Sequence, residues 1–62
     1  MKVREIIKLL EQDGWYLVRT KGSHKQYKHS VKKGLVTVPG NTGDDVEIGT
    51  LMSIYKQAGI QK

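Results

Sequence analysis

No cysteine occurs in the 62 residues, so neither a disulfide framework nor a cysteine-based zinc site can support the fold. Phenylalanine is missing too, which leaves four aromatic residues: Trp15, Tyr16, Tyr27 and Tyr55. At least three of these are needed for a core, so only Trp15 or Tyr16, whichever faces outward, is free for solvent. No apolar run approaches the roughly 18 residues of a membrane span, and no signal-peptide-like segment precedes the first helical pattern. A soluble, cytoplasmic protein with no membrane partner is expected. So short a chain is expected to form one domain over residues 1–62, near the lower limit for folding without metal or disulfides.

The next absence is of one charge sign. Between Gly14 and Gly43 there is no acidic residue, whereas Arg19, Lys21, Lys25, Lys28, Lys32 and Lys33 all fall there. The six acids lie outside: Glu5, Glu11 and Asp13 before, Asp44, Asp45 and Glu47 after. Surplus lysine serves solubility in many small domains, but a segregated block of one sign also attracts polyanions, nucleic acid foremost.

What is present sorts into five elements. Val3, Ile6, Ile7 and Leu10 repeat at the spacing of one buried helical face, predicting a helix over 3–12 that Gly14 stops. Residues 15–20, rich in aromatic and β-branched side chains, read as a strand. The turn Lys21-Gly22-Ser23 leads into a second strand from His24 to His29, and Leu35 to Val38 make a third, ended by Pro39. After the loop from Gly40 to Asp45, Leu51, Ile54, Tyr55 and Ala58 predict a second helix, capped at Thr50 or just before it and closed by Gly59. The expected class is α+β: α-β-β-β-α, a three-stranded antiparallel sheet with both helices on one face.

Alternation along the second strand puts His24, Gln26 and Lys28 on one face and Lys25, Tyr27 and His29 on the other. Tyr27 is its one large hydrophobe, so its face should meet the helices and His24 should lie on the open face. In the first strand, Trp15 and Leu17 look as buriable as Tyr16 and Val18. An open sheet face bearing an imidazole, an amide and ammonium groups suits a phosphodiester. Histidine can exchange a proton with a ribose 2′-hydroxyl, and lysines can hold phosphate oxygens. His24 is the catalytic candidate. Arg19, Lys21, Ser23, Lys25, Gln26 and Lys28 are the candidates for RNA contact.

The stretch "GSHKQYKH" after a "W-x-x-V-R" strand, followed by "VTVP" and a terminal "GTLMSIYKQAGI", closely resembles the HicA toxins of toxin–antitoxin pairs. The resemblance runs from about Val3 to Ile60. It implies a double-stranded-RNA-binding-domain-like fold and a metal-independent endoribonuclease that cleaves mRNA and needs no cofactor. It also implies a HicB-like antitoxin partner that covers the active site. The family's catalytic histidine follows the Gly-Ser turn, which places it at His24, and His29 reads as structural. Many relatives carry a further histidine shortly after the third strand, where this chain has Gly40-Asn41. Asn41 cannot relay a proton near pH 7; if that second histidine matters for turnover, this protein is slower, or Lys28 or the substrate itself takes that part.

Other readings are weaker. Gly40-Asn41-Thr42-Gly43 spells a GxxG clamp, but one that follows a strand rather than joining two helices. Asp44, Asp45 and Glu47 suit the approach to the second helix better than a metal. The alternative function is a non-catalytic double-stranded-RNA-binding-like module, or an inactivated toxin relic.

Overall fold

The computed structural model describes residues 1–60. Its elements are α1 (Val3–Gln12), β1 (Trp15–Lys21), β2 (His24–His29), β3 (Val36–Val38) and α2 (Ile48–Ala58). The strands form one antiparallel sheet in the order β1-β2-β3. Val3, Ile6 and Leu10 from α1 join Leu51, Ile54, Tyr55 and Ala58 from α2 against Trp15, Tyr27, Val36 and Val38. Both helices therefore cover the sheet face that carries Tyr27, and the other face is open. This is the α-β-β-β-α order that the residue pattern predicts, and it agrees with the double-stranded-RNA-binding-like fold that the resemblance implies.

The registers settle the ambiguity of β1. Trp15 pairs with His29 and Leu17 with Tyr27, which puts both on the helix side, while Tyr16 pairs with Lys28 on the open side. Only Trp15 is buried; Leu17 is 49% exposed because the helices do not reach that far along the edge strand. Trp15, Tyr27 and Tyr55 go to the core, leaving Tyr16 as the outward aromatic. Burial pushes the Tyr27 hydroxyl above its ordinary range, and the charge of Glu11 adds to the effect.

The helix ends depart from expectation. α2 starts at Ile48 with Glu47 as N-cap, not at Thr50, because the Leu51 N–H already reaches the Glu47 carbonyl at 2.9 Å. Asp44 and Asp45 serve α1 instead of α2. The Asp44 and Thr42 carbonyls accept from Val3 and Arg4 N–H, two donors that the helix cannot satisfy within itself, and Asp45 pairs with the Lys2 ammonium. Glu5 Oε1 accepts the Lys2 N–H at 2.8 Å, closing the first turn. The β3–α2 loop is thus fastened over the start of α1.

A second knot joins the far ends of both helices. The Lys32 ammonium donates to Asp13 Oδ2 at 2.6 Å, to Ala58 O at 2.9 Å and to Gly59 O at 3.3 Å. Asp13 Oδ2 also accepts from Trp15 Nε1 at 3.1 Å. One lysine therefore satisfies terminal carbonyls of α2 and ties them to the residue capping α1.

Candidate nucleic-acid interface

Gly22, at φ 60°, makes the tight β1–β2 turn with a backbone that other residues adopt at a cost, and Ser23 delivers the chain into β2. His24 is the first residue of that strand and is exposed. Directly opposite stands Lys21, so the two side chains leave the sheet on one face, with Cβ atoms roughly 5 Å apart.

The rest of the face follows in ranks. Arg19 pairs with Gln26 and Gln26 with Thr37, making a polar row across all three strands. Tyr16 and Lys28 form the next rank. What aligns these groups is a slip of the register by one between Leu17 and Arg19, leaving Val18 as the extra residue of a β-bulge. With unbroken alternation from Tyr16, both Arg19 and Lys21 would point toward the helices. The bulge turns them to the side of His24. No local motif announces it.

The expected contacts divide. Arg19, Lys21, Gln26 and Lys28 share the open face with His24, and Ser23 lies in the exposed turn beside it. Lys25 projects to the helix side, where its ammonium donates to the Gly40 carbonyl at 3.2 Å. It fastens the loop after β3 rather than facing outward, and it brings Gly40-Asn41 to the end of the sheet where His24 stands. In that loop the Asn41 N–H donates to Asp44 Oδ2 at 2.9 Å. Lys28, considered as a stand-in proton donor, lies four residues from His24 along the strand, roughly 13 Å away and out of proton-transfer reach.

His29 ends the same strand in a different state. Its Nδ1 accepts from Val31 and Lys32 N–H at 3.0 Å each, so the proton sits on Nε2, which donates to the Asp13 carbonyl at 2.7 Å. The ring also meets Trp15 edge-on at 5.2 Å. Every nitrogen is engaged in holding the fold, and none faces the open surface.

Among the described residues, no three of His, Cys, Asp and Glu gather as a metal site, and no helix is long and apolar enough to cross a membrane. The surface is that of a small basic α+β protein with one exposed imidazole at the head of a lysine-lined sheet. The family model for the HicA toxin of bacterial toxin–antitoxin matches residues 3–60, and the chain belongs to that family. A solved structure titled "HicA3 and HicB3 toxin-antitoxin complex" contains a chain that is 30% identical with a TM-score of 0.81, the match covering 100% of this chain and 98% of that one. No curated protein gives a sequence match.

Proposed function

We propose that this toxin is a metal-independent endoribonuclease that cleaves mRNA with His24 as general acid/base. The observation that carries the reading is the pairing of an exposed imidazole with Lys21 at the head of an open, acid-free sheet face. The neutral imidazole takes the proton of a ribose 2′-hydroxyl as O2′ attacks the adjacent phosphorus. The bond to the 5′-oxygen breaks, and that oxygen takes a proton from the imidazolium or from water. The products are a 2′,3′-cyclic phosphate, open to later hydrolysis, and a free 5′-hydroxyl. Lys21 and Arg19 offset charge building on the phosphoryl oxygens. The three strands carry no carboxylate, the donor that a catalytic magnesium ion would call for.

A HicB-like antitoxin is the proposed protein partner. Support comes from the similar chain solved with HicB3 and from the basic face, which suits an acidic, larger protein. A rise in thermal stability on adding the neighbouring gene's product is the expected result, and a lone toxin that gains none would count against the partnership.

A second reading, a non-catalytic RNA-binding module, is favoured by one observation: His29 is tied into the fold, so the open face has a single imidazole. The two are separated by incubating RNA with parent and His24→Ala proteins in excess EDTA. Cleavage by the parent alone, leaving cyclic or 3′-phosphate ends, is expected. Cleavage that needs metal, or survives in His24→Ala, overturns the mechanism. RNA bound by both proteins and cut by neither establishes the second reading.

A further inference from the structure

Tyr16 is the one aromatic residue that the core does not use. It is 49% exposed where Trp15, Tyr27 and Tyr55 are at most 5% exposed. It stands on the open face opposite Lys28, in line with Arg19, Gln26, Thr37, Lys21 and His24. Its partner Lys28 lies roughly 13 Å along β2 from His24, a span of a few nucleotides. Between those two ranks lies a polar row of a guanidinium, an amide and a hydroxyl. Base edges and ribose hydroxyls both make hydrogen bonds with such groups.

A duplex has no exposed base face to offer the Tyr16 ring. Its bases are stacked on one another, and an approaching protein meets phosphates and 2′-hydroxyls rather than a π-face. An outward ring on a flat, cationic sheet finds its complement in a splayed single strand, where each unstacked base presents a face and the backbone lies along the lysines. We propose that the open face binds single-stranded RNA, with Tyr16 stacking a base a few nucleotides from the scissile phosphate and Gln26 and Thr37 hydrogen-bonding to the nucleotides between. The inference rests on the ribonuclease reading and adds to it the form of the substrate and two further contact residues, Tyr16 and Thr37.

The test uses His24→Ala protein, so that RNA survives, and three labelled probes: a single-stranded oligoribonucleotide, the same strand with abasic sites, and a blunt duplex. Fluorescence anisotropy reads the affinity. Adding Tyr16→Ala should weaken single-strand binding roughly tenfold, while Tyr16→Phe should stay within about twofold. The loss should shrink to nothing on the abasic strand, and the duplex should bind more weakly than the single strand whichever residue is at 16. Tyr16→Leu keeps an apolar side chain without a π-face and should resemble Tyr16→Ala, which guards against a loss of folding. Equal binding by the Tyr16 variants overturns the inference while leaving the ribonuclease reading in place, as does a loss of the same size on all three probes. If the His24→Ala protein binds no RNA, both fall together.

Discussion

The two histidines of this chain sit at opposite ends of one six-residue strand and are held in opposite ways. His29 has both nitrogens engaged, by a carbonyl and two backbone N–H groups, and packs against Trp15. His24 follows a glycine turn, exposed, with a lysine across from it. One end of β2 joins both helix termini through Asp13, His29 and Lys32. The other leaves an imidazole open to solvent. Residue type decides neither role; the number of groups already claiming each ring does.

Exchanging the ends experimentally gives the largest contrast. His24→Ala should lower RNA cleavage by two to four orders of magnitude while shifting stability by less than about 0.5 kcal/mol. His29→Ala should do the reverse. It strands the Asp13 carbonyl and two N–H groups, costing roughly 2 kcal/mol and lowering the melting temperature by roughly 10 °C in so small a domain. Cleavage per folded molecule, measured well below the new midpoint, should persist. Equal effects of the two substitutions on both readouts would erase the distinction.

Gly14→Ala probes the tied end from the backbone. At φ 101° the position is unfavourable for a side chain, and an added Cβ would sit 2.7 Å from His29 Nε2. A loss of about 1–2 kcal/mol in denaturant unfolding is expected.

Acid titration of stability tests the carboxylate in the same knot. The hydrogen bond from the Lys32 ammonium holds the Asp13 carboxyl below its ordinary value of 3.8, against the opposing effect of burial. The unfolded chain therefore takes up that proton first as pH falls. The contribution is complete above pH 3.8 and is lost as pH drops through the lower folded value. Asp13→Asn should flatten the stability profile below pH 3.8 and cost about 1 kcal/mol at neutral pH, since the group is one-third exposed. An unchanged acid limb would remove Asp13 from this account.

The smallest expected effect is at the open end. Lys21→Ala should weaken RNA binding a few-fold and reduce the slope of log affinity against log salt by about one. Lys25→Ala should change that slope less, because its ammonium is spent on Gly40. Equal slopes would mean that RNA draws Lys25 away from the loop.

Much of this was legible in the residues themselves. Periodicity in α1 and α2 gave both helices, and Tyr27 alone oriented β2, so His24, Gln26 and Lys28 could be assigned to the open face. What stayed hidden depends on contacts between distant segments. The donors opening α1 are met by carbonyls from Thr42 and Asp44, some forty residues away, and so leave no local capping signature. Lys25 reads as one more surface cation until Gly40 is placed beside it. Strand β1 could not be oriented from its own sequence because Trp15, Tyr16, Leu17 and Val18 are all apolar enough for either side.

The bulge at Val18 makes the charge of the open face a matter of parity. Every position of β1 beyond it faces as it does because one residue is counted twice against β2. Straightening the strand with Val18 retained would put Arg19 and Lys21 on the helix side and strip His24 of its cations. Deleting Val18 together with the bulge would leave both facing as they do. A homologous chain with one residue fewer between the tryptophan and the Gly-Ser turn would need no bulge to carry the same surface, whereas one of this length needs it. For this fold, the length of that segment is as informative as its letters.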